Sequence, residues 1–184
     1  MNDDELITRI RNGDTTGFDE LINRYKEMAY YLALDILGDH EDAEDISQQA
    51  FIKAFRGIRR FKGKATFKTW FTKILMNLCR SHLRRRSLIS RFVDSRKDEE
   101  IEDERWEVDP VEVTMELELS RSITRAIDSL SGRQREIFIL KHLHGLKIRE
   151  IAEILGCRES TIKVQLFRAI RNLKTRLKEW EDEM

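Results

Sequence analysis

From Phe18 to Leu32 the apolar residues Phe18, Leu21, Ile22, Tyr25, Met28, Ala29 and Leu32 recur at three- and four-residue steps. That spacing places them on one face of a helix. The same period returns at Phe67, Trp70, Phe71, Ile74, Leu75 and Leu78, and again at Ile162, Leu166, Ala169, Ile170, Leu173 and Leu177. Between them lie a helix with Ala43, Ile46, Ala50 and Ala54 on one side and Phe51 and Phe55 close by, and a short leading helix with Leu6, Ile7 and Ile10. No segment sustains the two-residue alternation of a half-buried strand, and one proline in 184 residues leaves helices largely uninterrupted. The fold class is therefore all-α.

The punctuation marks the helix ends. Asp3 or Asp4 is the expected cap of the first helix, Asn12-Gly13-Asp14 is a turn with Asp14 capping the second, and Gly38-Asp39 breaks that helix. Gly57 ends the third helix, Lys62-Gly63-Lys64-Ala65 forms a basic loop, and Thr66 is the expected N-cap of the fourth. That helix is expected to finish in Arg84-Arg85-Arg86, where cations suit a helix C-terminus.

Net charge is zero for the chain but not along it. Residues 1–50 hold 4 basic and 13 acidic side chains, residues 51–97 hold 15 and 1, residues 98–120 hold 1 and 11, and residues 121–184 hold 14 and 9. Such blocks imply separate surfaces for separate partners. The basic block points to nucleic acid, because each phosphate met by Lys or Arg releases counterions. The stretch from Asp94 to Pro110 is charged and poor in apolar residues and reads as a tether. The predicted organisation is two small helical domains, residues 1–90 and 113–184, joined by an acidic linker at 91–112.

In the second domain, Leu117, Ile123, Ile127 and Leu130 suggest a helix, and Ser131 with Gln134 has capping-box spacing for the next. Ile137, Phe138, Leu140 and Leu143 are expected to line that helix until Gly145 stops it. Leu146, Ile148, Ile151, Ala152 and Leu155 line another, stopped by Gly156, and Thr161 to Leu177 makes the last. Small Ala152, the turn at Gly156 and a basic second helix have the spacing of a helix-turn-helix. Off its buried stripe, the last helix and its approach present Arg158, Ser160, Thr161, Lys163, Gln165, Arg168, Arg171 and Lys174. Those types donate to phosphates and base edges.

Catalytic and metal-binding classes find little support. Gly57 to Lys64 places five residues between glycines where a phosphate-binding loop needs four, and Ala65 stands where that loop needs Ser or Thr. Cys79 and Cys157 form no paired motif, Cys79 with His82 makes only a two-ligand pair, and no HExxH or GxSxG occurs. No enzyme activity, metal or cofactor is expected. No apolar run approaches the roughly 18 residues of a membrane span. The acidic start Met1-Asn2-Asp3-Asp4-Glu5 lacks an apolar signal region, so a cytoplasmic location is expected.

Three stretches, in order, resemble the extracytoplasmic-function sigma factors, the small two-domain class of bacterial sigma factors. Asp42-Ala43-Glu44-Asp45-Ile46-Ser47-Gln48-Gln49-Ala50-Phe51 resembles that family's polymerase-binding helix. Phe67-Lys68-Thr69-Trp70-Phe71-Thr72-Lys73-Ile74-Leu75-Met76-Asn77, with Leu83-Arg84-Arg85-Arg86 beyond it, resembles its −10 reader, and Ser131 to Leu177 its −35 reader. The resemblance implies that Asp42, Asp45, Gln48 and Gln49 contact core RNA polymerase at the β′ coiled coil. Many relatives carry Glu where this chain has Gln49, which removes one charge there. It implies that Asn77 captures a flipped −10 base, with Lys62 and Lys64 on the neighbouring loop and Arg80, Arg84 and Arg85 along the strand. Trp70 and Phe71 read as core.

At the −35 element it implies contacts from Arg158, Ser160, Thr161, Lys163, Gln165, Phe167, Arg168 and Arg171. Phe167 lies off the main stripe, either facing a thymine methyl or sugar or packing on the preceding helix. The implied partners are core polymerase through its β′ coiled coil and β flap, promoter DNA, and a dedicated anti-sigma protein. The expected function is promoter-specific initiation, by reading −35 duplex and capturing the melted −10 strand. Two other readings remain: a conventional helix-turn-helix regulator that acts without joining polymerase, and a helical adaptor that binds only protein. The ordered motifs at 42–86 weigh against the first, and the basic block against the second.

Overall fold

Asn2, not Asp3 or Asp4, caps the first helix in the computed structural model, which describes residues 1–94 and 123–183. Helix α1 (Asp3–Arg11) opens on a reciprocal capping box: the Asn2 side chain accepts the Glu5 amide at 2.9 Å and the Glu5 carboxylate accepts the Asn2 amide at 2.9 Å. Asp3 serves elsewhere, pairing with Arg24 and accepting the Tyr25 hydroxyl. Burial and the Asp3 carboxylate push the Tyr25 hydroxyl above its ordinary range. Asp14 accepts the Thr16 amide at 3.0 Å and so holds the start of α2 (Thr16–Leu37), although Thr15 occupies the cap position. The Thr16 hydroxyl, with Arg9, keeps the Asp14 carboxyl below the usual carboxylate range.

Gly38 ends α2 with φ of 73°, a left-handed conformation that glycine adopts without a Cβ clash. Asp39 then caps α3 (His40–Gly57) by accepting the Asp42 amide at 2.8 Å. A 3₁₀ turn (Ile58–Arg60) and the basic loop lead to α4 (Phe67–Asp94), where Thr66 accepts the Thr69 amide at 3.2 Å as the sequence predicts. The expected stop at Arg84–Arg86 does not occur, and α4 runs on to Asp94. No glycine or proline stands between Arg86 and Pro110 to break it.

The chain divides into two units at residues 105 and 106. In the first, α2, α3 and α4 enclose Leu21, Leu32, Leu37, Phe67, Phe71, Leu75 and Met76, while α1 closes one side with Leu6. Phe71 is the hub, its ring 4.6 Å from Phe51, 5.8 Å from Phe67 and 6.3 Å from Tyr25. Gly17 lets α1 and α2 approach: a Cβ there would lie 3.1 Å from the Leu6 carbonyl oxygen and 3.2 Å from Ile10 Cγ1. Gly17→Val adds two further methyls against that backbone. It is expected to cost about 1–3 kcal/mol, read as a lowered urea midpoint at unchanged slope.

In the second unit, α5 is described over residues 123–128, and α6 (Gly132–Phe138) passes into a π-helical turn (Ile139–Leu143). α7 (Ile148–Leu155) and α8 (Glu159–Glu183) follow, so α8 begins before the expected Thr161 and ends after Leu177. The acidic linker beyond Asp94, and the helical stretch predicted around Val113 and Leu117, lie outside the described residues. Ala126, Leu130, Ala169 and Leu173 form a core joined by Ile127, Phe138 and Leu177.

Two expectations fail here. Ser131 stands at the N-cap of α6 but its hydroxyl makes no capping bond, and the Gln134 side chain, the other half of the expected box, instead accepts from Asn172 of α8 at 3.2 Å. Leu143 is 52% exposed, not buried. The wider π turn, with the His144 amide reaching the Ile139 carbonyl, inserts a residue and rotates Leu143 off the core face while burying Ile139.

Candidate nucleic-acid interface

Helix α4 buries one stripe and leaves the opposite one to solvent. Asn77 is exposed, and the helical period places Lys73, Arg80 and Arg84 on its side. Arg85 lies at the margin of this face, and Arg84 and Arg85 are both exposed. Lys62 and Lys64 are exposed on the loop that leads into α4. One amide thus stands among cations with no carboxylate on that face of the helix. Lys73 escaped the sequence reading, although its position four residues before Asn77 marks it. Phe71 is fully buried and Trp70 is half-buried, its ring 5.0 Å from Phe61. Phe71 therefore belongs to the core, as the stripe predicts, while Trp70 packs on Phe61 and keeps part of its ring open to solvent.

The outer face of α3 has a different chemistry. Asp45, Gln48 and Gln49 are exposed there, with Gln48 donating to Glu44 at 3.3 Å. Ile52 lies on the same face and is 51% exposed. An apolar side chain off the buried stripe of Ala43, Ile46, Ala50 and Ala54 is the signal that could have picked it out. Asp42 is set apart from these. Its Oδ2 lies 2.9 Å from His82 Nε2 and 3.9 Å from Arg86 Nη1, so it ties α3 to α4. Arg86 accordingly faces away from Asn77.

The helix-turn-helix is formed by α7, the turn Gly156–Arg158 and α8. Gly156 takes φ of 65°, and its amide and that of Cys157 both reach the Ala152 carbonyl. Arg133 braces the turn, donating Nη2 to the Leu155 carbonyl at 3.1 Å. On α8, Ile162 and Ala169 are fully buried. Directly opposite them stand Ser160, Lys163, Val164, Phe167, Arg168 and Arg171, all exposed. Phe167 is 68% exposed, so packing on the preceding helix is not its role. Val164, at 49%, was not singled out by sequence; its place between Lys163 and Phe167 off the buried stripe marks it. Thr161 is exposed at the edge of this face, Gln165 is half-buried beyond it, and Arg158 is exposed in the turn.

Among the described residues, no group of three His, Cys, Asp or Glu side chains is placed to hold a metal, and no helix is long and apolar enough to cross a membrane. Cys79 is a buried thiol in no disulfide, and Cys157 is a half-buried one.

Residues 21–89 match the sigma-70 region 2 family, and residues 120–173 match sigma-70 region 4. The chain is 30% identical to the ECF RNA polymerase sigma factor SigW of Bacillus subtilis, over 94% of this chain and 95% of that one. It is 31% identical to the ECF RNA polymerase sigma-E factor of Escherichia coli, over 92% and 91%. Among solved structures, it resembles the sigma factor RpoE of Bartonella quintana in complex with the anti-sigma factor NepR, with a TM-score of 0.68 and 25% identity over 88% of this chain and 96% of that one. The chain belongs to the ECF RNA polymerase sigma factors, which direct promoter-specific transcription.

Proposed function

We propose that the exposed Asn77, set in the basic face of α4, captures a base of the melted −10 strand, and this observation carries the reading of the first unit. An amide both donates and accepts, so it can read a base edge that has left the duplex. Lys62, Lys64, Lys73, Arg80, Arg84 and Arg85 would then follow the strand's phosphates. The outer face of α3, with Asp45, Gln48, Gln49 and Ile52, docks on the β′ coiled coil of core polymerase. It joins one acidic and two amide groups to an apolar centre, a pattern suited to a basic partner with an apolar contact. Asp42 acts there indirectly, by fixing α3 against α4 through His82.

In the second unit, Lys163, Val164, Phe167, Arg168 and Arg171 enter the −35 major groove, with Ser160 and Thr161 at the phosphates and Arg158 at the turn. Gln165 is half-buried and contributes at the groove edge. The β flap is the second polymerase contact. The relative from Bartonella quintana was solved with an anti-sigma factor. An anti-sigma partner covering the α3 face is the corresponding expectation for this chain. Binding energy for the extruded base and the phosphates offsets strand separation, while the polymerase supplies the chemistry.

Transcription in vitro with core polymerase and a promoter library tests this. Start sites that depend on the protein are expected, and Asn77→Ala is expected to lower their use roughly tenfold, the scale of one missing hydrogen bond. Core association should be unchanged. Equal activity of Asn77→Ala would reject the base-capture role. DNA binding without core association or new starts would favour the conventional regulator.

A further inference from the structure

The loop Lys62–Thr66 is held at both ends, and one hold comes from a helix fifty residues earlier in the chain. At its far end Thr66 caps α4, its hydroxyl accepting the Thr69 amide and lying 3.0 Å from the Thr69 hydroxyl. At its near end the Phe61 ring is buried against Trp70, 5.0 Å between centroids. The Phe61 carbonyl, the last group before the loop, accepts a hydrogen bond from Nη2 of Arg11. Arg11 is the final residue of α1, and α1 packs on the 3₁₀ turn that ends just before Phe61. Between the two holds, Lys62, Gly63 and Lys64 are exposed, with Gly63 at φ of 67°.

We propose that Arg11 is a positioning residue for −10 recognition: it ties the Phe61 carbonyl to the end of α1 and so presets the Lys62–Thr66 loop for the melted strand. This rests on the reading of Asn77 and that loop as the −10 site. A guanidinium donating to a carbonyl makes a charge-assisted bond, stronger than a neutral one. A loop already fixed when the strand arrives loses less conformational freedom on binding, and a base that fits the fixed shape is favoured over one that does not. The tie joins the end of α1 to the backbone just before the basic loop, outside the cluster of Phe51, Phe67 and Phe71. Its loss should therefore alter the loop and leave the bundle folded.

The test uses holoenzyme assembled from the full chain and core polymerase. The probe is a fluorescein-labelled single-stranded oligonucleotide carrying the non-template −10 sequence of a promoter found by transcription, with a set of single-base variants. Arg11→Met is expected to reduce the ratio of matched to mismatched affinity several-fold, because a loop that is no longer preset discriminates less against a base that does not fit. Core affinity and the salt slope should stay at wild-type values, and any fall in melting temperature should be smaller in Arg11→Lys than in Arg11→Met. Arg11→Lys, which keeps a cationic donor, should recover part of the ratio.

A wild-type ratio in Arg11→Met overturns the proposal. So does a uniform loss across all oligonucleotides with the salt slope reduced by about one, the mark of a direct phosphate contact. A fall in melting temperature or core affinity equal in Arg11→Met and Arg11→Lys would assign Arg11 to helix stability, again against the proposal. Asn77→Ala, run alongside, separates the two levels. If it matches a wild type that shows no base preference, the −10 reading fails, and the proposal with it.

Discussion

Replacing Phe71 with alanine is expected to destabilise the first helical unit by about 3–5 kcal/mol, the cost of emptying an aromatic from a packed core. Its ring is wholly buried and meets Phe51 from α3, Tyr25 from α2, and Phe67 from its own helix. These neighbours come from three helices and Phe67 is also packed on Tyr25 and Trp70, so little of the gap is expected to close. A loss of that size is a large share of the roughly 5–15 kcal/mol that holds a small domain together. Urea unfolding of the full chain, followed by far-UV circular dichroism, measures it. Phe55→Ala is the comparison, since Phe55 is 46% exposed and, among the described residues, its ring meets only that of Phe18, at 5.0 Å. Its expected cost is below about 1.5 kcal/mol, by the smaller apolar area involved. Equal costs at the two positions would show that the Phe71 cluster is not the centre of the fold.

Replacing Lys163 and Arg168 together with alanine is expected to weaken −35 duplex binding roughly thirtyfold to twenty-thousandfold, at about 1–3 kcal/mol for each side chain. Both are exposed on the face of α8 opposite fully buried Ile162 and Ala169, so their removal leaves the core untouched. Fluorescence anisotropy on −35 duplexes across a salt series measures the effect. The slope of log affinity against log salt should fall by about one for each phosphate that is no longer neutralised. Arg176→Ala, exposed farther along α8 and off that face, should change binding little. A double variant that bound like wild type would move DNA recognition away from this face.

Much of this was legible from residue order. The three- and four-residue period located the buried stripes of α2, α4 and α8, because a helix repeats its faces every 3.6 residues wherever it is placed. Gly38 and Gly156 marked helix ends, since each takes a left-handed conformation that other residues resist. Thr66 marked the start of α4, because a cap bonds to an amide three residues on and needs no distant partner. The clustering of cations between residues 51 and 97 was likewise plain before any fold was known.

Other features depended on what lay far off in sequence. Ser131 and Gln134 had the spacing of a capping box, yet Gln134 turned to Asn172 once α8 was packed beside it. Leu143 obeyed the helical period on paper, but the π turn at Ile139–Leu143 changed the phase, and only the packed unit decides where a helix widens. Asp42 looked like one more polar group on the face of Asp45 and Gln49 until α4 brought His82 within 2.9 Å of it. The sequence by itself determined the helices, their buried faces and the placing of charge, all properties of neighbours within a turn or two. The tertiary structure alone decided which polar groups stay open to a partner and which are spent inside the protein, as Arg11 is on Phe61, because a hydrogen bond between distant residues exists only when their helices meet.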